Sequence, residues 1–195
     1  MLLNKRIIYL IIFLAAVVLV AELAWAYAAL YKSESKTSVT NLNATTSAEP
    51  TASISLMAPK ATISVGETDT VTINVSANTP TDGTDIIINF DPKLVEVMLS
   101  NGSPITVSAM YNQYPNNHLD VAKGVVTISG ISSEKTGVLA NGIFGTMVLK
   151  AKAVGKTTVS VIYVPGSTND SNVIETSTGK DVLGTVLNLQ LNIAP

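Results

Sequence analysis

The chain has 195 residues, a formal net charge of −2 at pH 7 and no cysteine. That length fits one domain with appendages, and the missing cysteines exclude disulfides and thiolate metal sites. Its 12 Lys and Arg residues are scattered rather than gathered into a stripe, so the electrostatic footprint of a nucleic-acid binder is missing.

At the N-terminus, Asn4, Lys5 and Arg6 precede an apolar run from Ile7 to Leu30 that only Tyr9, Glu22 and Tyr27 interrupt. About 20 apolar residues suffice for a helix to cross a bilayer, so residues 1–31 are expected to form a transmembrane anchor. Lys5 and Arg6 favour a cytoplasmic N-terminus, and Trp25, Tyr27 and Tyr31 suit the far interface. A cleaved signal peptide is the competing reading. Its apolar region would be Ile7 to Ala21, with a small-residue cleavage site at Ala24-Trp25-Ala26 or Ala26-Tyr27-Ala28. Either way the chain from about residue 32 onward is exported, membrane-anchored with an extracellular C-terminal domain in the first case and secreted in the second.

Residues 32–55 are rich in Ser, Thr, Asn and Ala and carry few large apolar side chains. Such a segment buries too little surface to offset its ordering entropy, and it reads as a flexible linker. Residues 56–195 have the period of two expected of strands. Val71, Ile73 and Val75 alternate with polar residues, as do Val126 and Ile128, Val159, Val161 and Tyr163, and Leu187, Leu189, Leu191 and Ile193. The run from Ile143 to Ala153 is apolar on both faces, as a central strand would be. Turn signals separate these runs at Gly66, Gly83, Asn101-Gly102, Gly124, Asn141-Gly142 and Gly155. The expected fold is all-β: a two-layer β-sandwich with jelly-roll topology and about nine strands.

The stretch from Thr84 to Val97 ends one such strand in an Asp-Pro corner. Pro92 cannot donate to a central ladder, and Asp91 is suited to hold the corner through a local backbone hydrogen bond. The order of signals resembles a cohesin domain, the dockerin-binding module of cellulosome scaffolds. The resemblance spans roughly Ser55 to Ile193. It rests on Val65 to Val75, on Asp85 to Pro92 with Leu94 following, on Gly124 to Gly130, on Gly142 to Lys150 with Gly155, and on Val182 to Gly184.

The resemblance implies a non-catalytic module that binds a dockerin-like protein module on one sheet face, in a setting of polysaccharide degradation. It assigns a partner contact to Asp85, five residues before the aromatic-Asp-Pro corner, and apolar contacts to Val138 and Leu139. Ala140 stands where a carboxylate often follows in that loop, a departure from the usual pattern.

Chemistry is sparse elsewhere. His118 is the only histidine and has no nucleophile signature beside it. Without cysteines it makes no zinc set, and no small-molecule substrate or catalytic residue is expected. Tyr111 and Tyr114 are the candidate rings for a carbohydrate-binding module, the alternative function, since ring faces stack on sugars; Pro115 reads as placing both in a loop. A structural or adhesion domain of the cell envelope is the third reading. The segment Ser167 to Asn172 clusters hard oxygen donors, with Asp170 the candidate calcium anchor; no other cofactor is expected.

Overall fold

The computed structural model describes residues 51–195 together with Glu22. The expected anchor and most of the expected linker lie outside the described residues. Among the described residues no helix is long and apolar enough to cross a membrane.

The described domain consists of thirteen strands: β1 Ala52–Met57, β2 Thr62–Ser64, β3 Thr68–Ala77, β4 Thr81–Asn89, β5 Val95–Met98, β6 Thr106–Val107, β7 Gln113–Asp120, β8 Val125–Ile131, β9 Asn141–Ala151, β10 Gly155–Val161, β11 Asn172–Glu175, β12 Leu183–Leu187 and β13 Leu189–Ala194. They form two sheets. One has the order β12-β1-β3-β9-β5, with β6 also on β9; the other has the order β2-β13-β10-β4-β8-β7, with β11 also on β4. Successive strands lie in opposite sheets everywhere except at β5–β6, β7–β8 and β10–β11, where the chain stays within one sheet. All-β structure in two layers therefore agrees with the sequence.

Alternation explains the packing. On β3, Val71, Ile73 and Val75 are buried while their neighbours face outward. On β4, Ile86 and Ile88 do the same, and on β8, Val126 and Ile128. These side chains meet Phe144, Met147 and Leu149 of β9 in a single core. Each such side chain taken from water contributes roughly 1.5–3 kcal/mol, the main favourable term available to a domain without disulfides. β9 lies between β3 and β5, the central place that its apolar run suggests.

Three expectations change. The linker boundary moves, because Ala52 to Ser55 belong to β1, where Ala52 and Ile54 are buried. The strand count exceeds nine because β2, β5, β6 and β11 have four residues or fewer, too short for a periodic signal. The final run also splits: the Asn188 Oδ1 accepts the Val161 N–H at 2.9 Å, and there the chain leaves one sheet for the other. The alternation accordingly breaks, with Leu187 60% exposed and Leu191 and Ile193 buried.

The Asp-Pro corner is built as its sequence suggests. Asp91 Oδ1 accepts the Lys93 N–H at 2.9 Å, and the Asp91 carbonyl accepts from Leu94 and Val95. Gly124, in the β7–β8 turn, packs under this corner. Its φ is +65°, and a Cβ there would stand 2.2 Å from the Phe90 carbonyl oxygen and 2.8 Å from Pro92 Cδ, a place only glycine can fill.

Candidate functional site

The outer face of the second sheet is set by strand register. Directly opposed residues in an antiparallel pair share a face, with Cβ atoms about 4.5–5.5 Å apart. Asp85 of β4 pairs with Ser129 of β8 on one side and with Asn172 of β11 on the other. Ser129 pairs in turn with Asn116 of β7. Asn172, Asp85, Ser129 and Asn116 thus form one polar row across four strands. The next row is Ile87, Thr127 and His118, and the one after it is Asn89, Val125 and Asp120. Asn116 Nδ2 donates to Thr127 Oγ1 at 3.3 Å, tying the first two rows together.

A hollow of about 290 Å³ opens on this face. Asp85, Asn116, Thr127, Ser129 and Asn172 line its floor, and the loop residues Thr168, Asn169 and Asp170 line its wall. That loop is pinned at both ends to Ile87. The Ile87 carbonyl accepts the Ile162 N–H at 2.8 Å, and the Ile87 N–H donates to Ser171 Oγ at 2.9 Å. At the sheet's far row, Asp120 accepts the Lys123 backbone N–H at 3.0 Å and pairs with its ammonium at 3.2 Å. Those contacts hold its carboxyl below the usual range, the backbone N–H chief among them.

The structure sorts the residues singled out in the sequence. Asp85 is half-buried in the centre of the polar row. Val138 and Leu139 lie elsewhere: the Val138 backbone pairs with Thr81 at the start of β4, in both directions at 2.8 and 2.9 Å. At about 3.3 Å per residue, that is roughly 13 Å along the strand from Asp85. The pair is also divided in burial, Val138 packing against the core and Leu139 standing 58% exposed.

Tyr111 and Tyr114 form no sugar platform. Tyr111 is 3% exposed, and its hydroxyl lies 2.6 Å from Thr81 Oγ1 and 2.8 Å from Thr84 Oγ1. Both rings stand edge-on to Phe144, with centroids 6.0 and 5.4 Å away. Gly130 makes room for this cluster, since a Cβ there would come within 2.7 Å of Tyr111 and 2.9 Å of Phe144. Tyr111 is a core ring, and Tyr114 is half-buried against the same core. Pro115 does not make a loop either: it sits in β7, at a register shift between Gln113 and Asn116. A bulge on an edge strand tolerates its missing N–H.

Asp170 is buried, 5% exposed, with Oδ2 accepting the Val164 N–H. Among the described residues no group of three or more His, Cys, Asp and Glu is placed to hold a metal ion.

Sequence reasoning missed Asn116, Thr127 and Ser129, and took Asn172 only as part of the oxygen-rich segment that begins at Ser167. Their signal was the alternation on β8 and β7, which names the outward set only once the register to β4 is known.

No family model and no curated protein matches the chain. Solved structures do. A type II cohesin domain from the cellulosome of Acetivibrio cellulolyticus superposes with TM-score 0.58 at 20% identity, covering 73% of this chain and 96% of that one. The cohesin of a type II cohesin–X–dockerin complex from the same organism gives 0.59 at 16% identity, over 73% and 99%. A type I cohesin–dockerin complex from Clostridium thermocellum gives 0.53 at 11% identity, over 73% and 99%. The two-sheet domain of this chain has the cohesin fold.

Proposed function

We propose that this chain is a non-catalytic binding module that takes a dockerin-like protein module on the outer face of β10, β4, β8 and β7, with Asp85 at the centre. The observation that carries this reading is the polar row Asn172, Asp85, Ser129 and Asn116 on a cohesin fold. Such a row offers a carboxylate flanked by amide and hydroxyl groups, which suits recognition of the N–H groups and cationic side chains of a folded partner. Ile87 in the adjoining row supplies an apolar anchor beside it. Interfaces draw most of their energy from a few such central groups. Several solved cohesins of this fold are complexes with dockerins, which supports the partner class. The N-terminal apolar run would hold the module at a membrane with the domain outside the cell, and a link to polysaccharide breakdown follows from the partner class.

The test is Asp85→Ala in a binding assay against a panel of dockerin modules. The dissociation constant should rise about 10-fold or more, since truncating one partner of a charge-assisted contact costs at least ~1.4 kcal/mol, while the melting temperature measured in EDTA stays nearly fixed. An unchanged constant with a verified partner overturns the assignment of Asp85.

A further inference from the structure

Two side-chain oxygens of residues lining the hollow are buried without a hydrogen-bond donor: Asp170 Oδ1 and Asn172 Oδ1. Buried polar atoms are ordinarily satisfied, and an orphan carboxylate oxygen is costly. Asp170 cannot turn away, because its Oδ2 holds the Val164 N–H. Asn172 follows two residues later and pairs with Asp85 across the β11–β4 ladder, so all three line one hollow, together with the oxygen-bearing Thr168 and Asn169.

The geometry points to a calcium site formed by Asp170, Asn172 and Asp85, with the 168–169 segment and solvent completing the shell. The donor set decides the ion. Every donor is a hard oxygen, the net side-chain charge is −2, and no imidazole or thiolate contributes, which disfavours zinc and copper. Calcium accepts six to eight oxygens in irregular geometry, whereas magnesium demands a near-ideal octahedron that a loop wall and a sheet do not supply. The ion gives both orphan oxygens a partner and joins the 162–171 loop to the sheet face. The site stands on its own donors and does not depend on the partner proposed above.

The full chain in detergent, stripped with EDTA, is titrated with CaCl₂ by calorimetry and by thermal unfolding, with no partner present. One calcium is expected to bind with a dissociation constant on the order of 10⁻⁴–10⁻³ M. Melting should rise by roughly 3–10 °C in 10 mM CaCl₂. Asp170→Asn should abolish the rise. Asn172→Asp, which adds a hard anionic donor, should tighten binding several-fold and enlarge the rise. If wild type shows no heat and no shift, or Asp170→Asn keeps the full shift, the site does not exist. If Asn172→Asp only lowers the melting temperature and gains no calcium response, the Asn172 amide is instead donating to a carboxylate, which also overturns the proposal.

Discussion

The Tyr111 hydroxyl lies 2.8 Å from Thr84 Oγ1, on the inner side of the strand whose outer side carries Asp85 one residue later. A single dipeptide step on β4 thus separates a core fastening from the candidate recognition carboxylate. Tyr111→Phe removes the common partner of Thr81 and Thr84 and should cost about 1–3 kcal/mol in chemical denaturation. It should leave retention on polysaccharide unchanged, because the ring presents no face to solvent.

The same hydroxyl sets an alkaline limit. Burial pushes the Tyr111 hydroxyl above its ordinary 10.0, against the smaller opposing pull of Thr81 and Thr84. Burial raises Tyr163 as well, helped by the negative charges of Asp181 and Asp170. A phenol with a raised folded-state value contributes stability that is fully present below pH 10.0. That stability is lost as pH rises through the folded value. Melting temperature should therefore fall above pH 10, and less steeply in Tyr111→Phe than in wild type; equal slopes would reassign the effect to Tyr163.

Gly124→Ala should be severe. It combines a φ of +65° with a Cβ 2.2 Å from the Phe90 oxygen, and the Asp-Pro corner must move to admit it. A loss of about 3 kcal/mol or more is expected. Gly166 shares the left-handed backbone, with φ +79° and open space around it, so Gly166→Ala should cost only about 1 kcal/mol. Urea unfolding of the two variants side by side checks the contrast.

The binding face can be tested by obstruction. Ser129→Arg places a long cation between Asp85 and Asn116 and should weaken partner binding by more than about 100-fold, as a charge and shape clash at an interface centre does. Leu139→Ala removes an exposed side chain roughly 13 Å from Asp85 and should change the constant less than about threefold. A larger effect from Leu139 than from Ser129 would move the interface to the end of the sheet.

Much of the fold was legible because period-two alternation is a direct consequence of sheet geometry. β3, β8 and β10 stood out for that reason, β9 stood out by its apolar run, β4 by the corner it enters, and the Asp91 brace followed from turn chemistry alone. β7 did not stand out, because Pro115 and its polar neighbours mimic a loop; only pairing with β8 makes it a strand. The site was half legible. Asp85 was found through its spacing from the corner. The residues beside it come from three other strands, and cross-strand register is a tertiary fact that spacing along one strand does not contain. Tyr111 and Tyr114 misled for the converse reason: proximity in sequence says nothing about which side of the sheet a ring takes, and Phe144 and Gly130 decide it from elsewhere in the chain.

The change of sheets at Asn188 has a bearing on how this domain comes into being. β12 lies parallel to β1, and β13 lies parallel to β2, so the earliest strands of the domain find their neighbours among its latest. Neither sheet is complete while residues 183–194 are still being synthesised; β1 waits with one edge unpaired, and β2 waits with no strand partner. Contacts of such long sequence separation are slow to form, and unpaired edges invite foreign strands in the meantime. Folding of this domain therefore waits for residues 183–194, and its period of greatest exposure to aggregation falls between the emergence of Ala52 and the arrival of Ile193.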